Sequence, residues 1–367
     1  MKMNNFLNTI ENQRPQLINS IIALGSPIVD ILAEIDESDI MKYNLKKDEA
    51  TLANDVNRQF YNDITGKSQV FESPGGSAQN ILRAISWSLM HDNTNLTGPK
   101  KLSMLGCIGE DTYGKKILNS FNFFNINTEL LEKVEMNTSK CAVGIYKHER
   151  YFLSQMSASK HLSDNFVRNN WNKIISHDAL LVEGYFLAEN FNLAYNICKE
   201  FSDNGKYIIL TLSDPNIIRQ NREQVITIAN MADMIVGNIN EAKNLIQEEK
   251  EIKLYEIDKL FNRIYALLNN KTRIFIITVG RNGVFCSKYD SISGIQSNFQ
   301  TYAYQINSNE IRDFNGAGDA FLGGFLSLQM LNKTFEDCCR LGNYVAAVVI
   351  KNYGCNFPNI NNILVRN

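Results

Sequence analysis

No stretch of this chain is apolar for long enough to cross a membrane. Its longest apolar runs, such as "YVAAVVI", fall far short of the roughly 20 residues a span needs. The opening "MKMNNFLNTIENQRPQ" lacks the apolar centre of a signal peptide, so an unsecreted, cytoplasmic protein is expected. A basic surplus is missing too. With 37 Lys and Arg against 39 Asp and Glu, a net charge of −2 offers no field for nucleic acid or an anionic membrane. Seven cysteines are present, but none forms C-x-x-C, and Cys338 and Cys339 are adjacent; free thiols in a reducing compartment are expected. The four histidines (His91, His148, His161 and His177) show no metal-ligand spacing, which argues against a structural metal. Internal repeats and Pro/Ser-rich linkers are also absent.

What is there is an alternation. After a polar arm over residues 1–19, strand-like stretches recur at 20–35, 101–109, 178–186, 206–213, 233–238 and 273–280. Several are continuously apolar, as strands buried on both faces are. Helix-length segments such as Ser77–Met90, Leu193–Asp203 and Leu254–Leu268 lie between them. Alternating β and α elements predict a mostly parallel sheet covered by helices on both faces. Two stretches break the rhythm: residues 36–74 are polar and run into "ESPGG", and residues 136–157 hold two short strand-like pieces around "KHE". They fit either a small β-sheet cover over one end of the main sheet or two long surface loops.

The segment "DFNGAGDAFLGGF", residues 313–325, carries four glycines where a helix begins. Glycine inside a helix costs about 1 kcal/mol relative to alanine, so four of them need a reason. A helix N-terminus presents unpaired N–H groups and about half a positive charge. Gly316, Ala317 and Gly318 lack bulk, so a phosphoryl group can sit directly on their amides. Asp319 follows in the first turn. A carboxylate beside an anion site repels the ligand, but it makes sense as the base that takes the proton of an attacking hydroxyl. The plainer alternative is an acid that complements the helix dipole. Gly323 and Gly324 are read as permitting close packing of helix on sheet. Other phosphate motifs fail: "GEDTYGKK" ends in Lys116 where a P-loop needs Ser or Thr, and "TGKS" has Tyr61 at its first glycine position.

These residues resemble a known family. "DFNGAGDAFLGGF" is similar to the C-terminal signature of ribokinase-like (PfkB-type) sugar and nucleoside kinases, and "SPGGSAQNILRA" with "GCIGEDTYGKKI" resembles their N-terminal one. "GSPIVDI", "PGGSAQN", "GCIGEDTYG", "VGNINEA", "TVGRNG", "NGAGDAF" and "GCNFP" look, in that order, like segments of the adenosine kinases within it. Seven motifs in register, from Ile21 to Pro358, cover nearly the whole chain.

The resemblance implies a three-layer α/β/α domain over 20–367 with a small β-sheet lid from 36–74 and 136–157. It implies transfer of the γ-phosphate of ATP to the 5′-hydroxyl of adenosine. Asp319 would be the base, the amides of Gly316, Ala317 and Gly318 the anion hole, and Arg150 a lid arginine reaching the phosphate side. Asp30 would grip the ribose hydroxyls, with Gly76, Ser77, Asn80 and Asn315 around it and Ser26 close by. Leu52, Met156 and Phe186 would line the base pocket. For ATP the resemblance implies Asn238, Thr278, Gly280 and Arg281, with Glu241 organising Mg2+ through water. Some relatives also use a monovalent cation. A monomer is favoured. The chain departs from the family's pattern at Phe314 (usually Thr), Ser26 (usually Asn) and Ala50, where a lid glutamine is expected. These departures bear on acceptor specificity, and they keep open a kinase of another nucleoside or a sugar, or a nucleoside-binding relative without catalysis.

Overall fold

The first apolar run does not form a single strand. In the computed structural model, which describes residues 17–46, 50–54, 57–90, 100–147 and 149–358, it breaks at Gly25-Ser26-Pro27 into β1 (Ser20–Leu24) and β2 (Ile28–Glu34). Proline donates no N–H to a ladder, so a central strand does not run through it. The two halves then enter different sheets.

β1 joins a nine-stranded sheet with β5 (Lys101–Gly109), β6 (Leu131–Val134), β9 (Ala179–Glu183), β10 (Tyr207–Thr211), β11 (Met234–Asn238), β12 (Arg273–Thr278), β13 (Val284–Asp290) and β14 (Ile295–Thr301). Their order is β14-β13-β12-β11-β10-β9-β1-β5-β6. Every neighbouring pair from β6 to β12 is parallel, and only β13 and β14 add antiparallel at one edge. Residues along β1 alternate between two apolar clusters: Ile21 and Ala23 pack on one face, Ile22 and Leu24 on the other. This burial on both faces is why the strands read as continuous apolar runs.

Helices cover both faces. On one side lie α1 (Ser77–Met90), α4 (Ala317–Met330) and α5 (Phe335–Val349); the other side carries α2 (Gly184–Asp203) and α3 (Ile239–Leu245). The predicted Ser77–Met90 helix has those bounds, whereas Leu193–Asp203 is the second half of α2. Gly323 and Gly324 serve helix–helix contacts rather than the expected helix–sheet ones. A Cβ on Gly323 would lie 2.2 Å from the Ala84 Cβ of α1, and one on Gly324 2.8 Å from Val345 of α5. The small residues let α4 pass between its two neighbours.

β2 belongs to a second sheet of five strands, ordered β3-β8-β7-β2-β4, with β3 (Ala50–Leu52), β4 (Phe71–Gly75), β7 (Lys140–Tyr146) and β8 (Glu149–Gln155). Both rhythm-breaking segments of the sequence therefore contribute strands to it. Its outer face holds Ile31, Ala33 and Leu153 against Phe60, Tyr61 and Ile64 of a short helix, Gln59–Thr65. Its inner face holds a smaller cluster of Leu32, Cys141, Val143 and Ile145. Among the described residues no helix is long and apolar enough to cross a membrane. All seven cysteines are buried and unbridged.

Candidate active site

A cavity of about 380 Å³ opens where the inner face of the small sheet meets the carboxyl ends of the large one. That is where open parallel sheets bind their ligands. Glu183, Thr211, Asn238 and Thr278 each end one of four adjacent parallel strands, and all four line it. The opposite wall comes from the small sheet. Asp30 pairs in register with Cys141, and Cys141 with Ser154, so the three share one face; Arg150 and Phe152, at alternate positions of β8, share it too.

Two helix N-termini close the floor. Gly76 has φ +97, and a Cβ there would lie 2.5 Å from the Ser26 carbonyl, so only glycine turns the chain into α1 at this point. Gly316, with φ +71, caps α4 and packs against Cys355, whose Cβ would lie 2.5 Å from a Cβ at position 316. A Cβ on Gly318 would meet nothing within 4 Å, so this glycine keeps open space over the helix end. The Ala317 amide closes a turn onto the Phe314 carbonyl at 3.3 Å.

Asp319 lies in the first turn of α4, half-buried. Its Oδ1 accepts from the Ser77 hydroxyl at 2.6 Å and its Oδ2 from the Asn80 amide at 2.9 Å. Behind it stands Arg83, wholly buried, which donates to the Asn80 carbonyl oxygen at 2.7 Å and to the backbone carbonyls of Pro74 and Cys355. Desolvation raises the Asp319 carboxyl above its ordinary range, opposed by the bonds from Ser77 and Asn80 and by the Arg83 charge. Asp30 is buried more deeply, at 5% exposure, and accepts from Asn315 Nδ2 at 3.3 Å. Burial pushes it up to about 7, against the pull of Arg83. A Cβ on Gly75 would lie 2.4 Å from its carboxyl, so the first glycine of the pair makes room for Asp30 and the second makes the turn.

On the far side, Asn238 caps α3 reciprocally with Glu241: its side chain accepts the Glu241 N–H, and its own N–H donates to Glu241 Oε2 at 2.9 Å. Burial pushes Glu241 up to about 8, and Asp214 and Asp319 add to the shift. Among the described residues no group of three or more His, Cys, Asp or Glu could by itself hold a metal.

The structure thus brings together Ser26, Asp30, Gly76, Ser77, Asn80, Arg150, Met156, Asn238, Glu241, Thr278 and Asn315–Asp319. Arg150, second residue of β8, is paired with the Asp313 carboxylate at the start of the glycine-rich loop. Four expected residues are not in the lining. Phe186 is wholly buried in the core beneath the large sheet, and its neighbour Tyr185 faces the cavity instead. Gly280 and Arg281 form the turn after β12. Leu52 ends β3 opposite Ser154, and its side chain lies outside the described residues. Sequence reasoning missed Glu183, Tyr185 and Asp214. The signal for Glu183 was an acid ending a buried apolar strand directly before a glycine, in "DALLVEGYF".

The family model for pfkB family carbohydrate kinases matches residues 41–362. The chain belongs to that family. As a pfkB kinase it is a phosphotransferase acting on a hydroxyl group. It is 25% identical to adenosine kinase 2 of Arabidopsis thaliana over 344 residues, spanning 92% of this chain and 95% of that one. It is 26% identical to the adenosine kinase of Dictyostelium discoideum over 351 residues, with 92% and 96% covered. The structure of Anopheles gambiae adenosine kinase in complex with P1,P4-di(adenosine-5) tetraphosphate superposes with a TM-score of 0.81 at 25% identity, covering 93% of this chain and 98% of that one. The pfkB kinase fold therefore extends over both sheets.

Proposed function

We propose that this pfkB kinase transfers the γ-phosphate of ATP to the 5′-hydroxyl of adenosine. The observation that carries the reading is one cavity with two differently held carboxylates, Asp30 on the small sheet and Asp319 at the end of a glycine-capped helix. The adenosine kinases among its relatives support the acceptor.

In this reading Asp30 accepts hydrogen bonds from the two ribose hydroxyls, and the base lies against the apolar side of the cavity, Ile28, Phe152 and Met156. The 5′-hydroxyl then points at Asp319. Ser77 and Asn80 hold that carboxylate in place, and desolvation makes it a better proton acceptor than a solvated aspartate. Asp319 takes the hydroxyl proton as the oxygen attacks phosphorus. The N-terminal amides of α4 face the charge on the transferring group, support worth roughly 3–4 kcal/mol of barrier in comparable sites. Glu241 and Asp214 supply hard oxygen donors facing the cavity, which suits Mg2+ held by one or two carboxylates and the substrate phosphates. When bound, Mg2+ would neutralise charge on the ATP phosphates. The small sheet acts as a lid, and its closure excludes water that would otherwise compete as acceptor.

A coupled ADP-release assay over nucleosides and sugars tests the reading. Adenosine is expected to give the highest kcat/KM. A sugar outperforming it would move the acceptor assignment to another class, and no turnover with any acceptor would leave a binding protein.

A further inference from the structure

Glu183 is not needed by the mechanism above, yet it is among the most enclosed charged groups in the molecule, at 1% exposure. It ends β9, and Gly184 behind it allows no side chain, since a Cβ there would lie 2.4 Å from the Leu212 carbonyl. Its Oε1 accepts from the Ser26 backbone amide at 2.5 Å and its Oε2 from the Ala78 amide at 2.6 Å. Gly25 leaves the carboxylate its room: a Cβ there would be 2.8 Å from the Glu183 carboxyl carbon. One side chain thereby ties the link between the two sheets to the start of α1.

Each tied segment carries part of the site. Four residues after Ser26, beyond Pro27, comes Asp30; next to Ala78 is Ser77, and two residues on is Asn80, the two donors to Asp319. We infer that Glu183 is a positioning residue for phosphoryl transfer, setting the acceptor-binding Asp30 in register with the hydrogen-bonded base Asp319. Both its oxygens already hold backbone amides, so it acts through its neighbours. The inference rests on the kinase reading above and names a residue that reading leaves out.

Protonation modulates the tie. Burial pushes the Glu183 carboxyl up to about 7; Asp319, facing it from α4, raises it further, and Ser26 and Ala78 oppose with neutral amides. The ionised form accepts both bonds best, so the tie weakens as pH falls through that range.

The test is Glu183→Gln, which keeps the shape but leaves one oxygen for two amides. Using the acceptor that the wild type turns over fastest, acceptor KM is expected to rise about tenfold at pH 8, the effect of one lost charge-assisted bond. KM for ATP should stay within about twofold, because the donor side touches neither amide. Hydrogen exchange should speed up at Ser26 and Ala78 while the large-sheet amides keep their protection. Wild-type acceptor kcat/KM should decline below about pH 7, and the variant should lack that part of the decline. An unchanged acceptor KM in a folded variant would overturn the role of Glu183 alone. So would equal losses for both substrates with protection falling throughout, which would mark a merely structural acid. A wild type that phosphorylates nothing would remove the kinase reading, and this inference with it.

Discussion

The two sheets are built on the same ladder and stand in opposite situations. The large sheet is wrapped on both faces, and its clusters run from Ile18 to Cys355 and from Ile22 to Ile277. The small sheet has short helices on its outer face only; its inner face offers Leu32, Cys141, Val143 and Ile145 and then the polar row of Asp30, Arg150 and Ser154. In the proposed reading the first is a fixed rim that holds the base Asp319 and the nucleotide end. In that reading the second is a cover, tied to the glycine-rich loop through Arg150–Asp313 and Asp30–Asn315, whose remaining inner face an acceptor completes. Phosphoryl transfer needs both, because positioning requires rigidity and exclusion of water requires movement.

The rim is broken most directly at Asp319. Asp319→Asn is expected to lower kcat by at least about two orders of magnitude, the scale of a lost general base. Binding should survive: the new amide can donate to the Ser77 hydroxyl while its oxygen still accepts from Asn80, so both existing contacts have partners. Stopped-flow or steady-state kinetics with calorimetry on the same sample checks it. Turnover within a few-fold of wild type would take Asp319 out of the reaction.

The cover is tested at Asp30, and here function and stability separate. Asp30→Asn should weaken acceptor binding at least tenfold, since each ribose hydroxyl loses a charged partner worth roughly 1.5–3 kcal/mol. The same change should stabilise the empty protein at pH 8. Its folded pKa, about 7, lies above the unfolded aspartate value of 3.8. The wild-type fold therefore loses stability as pH rises from about 4 to 7, and bears the full cost of the buried charge above that. At about 1.4 kcal/mol per unit, the cost is on the order of a few kcal/mol. Thermal melting at pH 8 should place the variant above wild type, with the gap shrinking toward pH 5. A variant that melts lower at pH 8 would mean the carboxylate stabilises the cover it sits in.

The same contrast explains what the sequence disclosed. Strands of the large sheet were legible because burial on both faces leaves an uninterrupted apolar signature, as in "ALLVE" and "YIILT". The small sheet was legible only as a disturbance of rhythm, and β2 was merged with β1, since an apolar strand on either side of Gly-Ser-Pro carries no label for the sheet it joins. Residues of the glycine-rich loop announced themselves because their chemistry is local to thirteen residues. Glu183 and Arg83 did not, because their roles depend on contacts with Ser26, Ala78 and Cys355, which only the fold brings near. The choice between Tyr185 and Phe186 was likewise closed to the sequence: adjacent aromatics in the first turn of α2 point about 100° apart, and the docking of the helix decides which one enters the core.

The smallest expected effect is in the dynamics of the cover. With a modest apolar cluster on its inner face, the small sheet should exchange its amides faster than the large one in the empty protein. The contrast is limited by a tie already in place, because Arg150 of β8 is paired with Asp313 beside the glycine-rich loop. Adenosine adds apolar surface against Ile28, Phe152 and Met156, so it should slow exchange in β2, β4, β7 and β8 together. The gain should be a few-fold and not orders of magnitude, since the ion pair holds the cover close beforehand. ATP alone should instead protect the amides around 238–241 and 313–320, at the rim. Arg150→Lys sharpens the comparison: a lysine replaces the planar fork with a point charge, loosening the cover in the empty state and enlarging the protection that adenosine brings. Protection of β7 and β8 without β2 and β4 would show that the small sheet does not move as one body, and the lid would have to be reassigned to its β7–β8 hairpin.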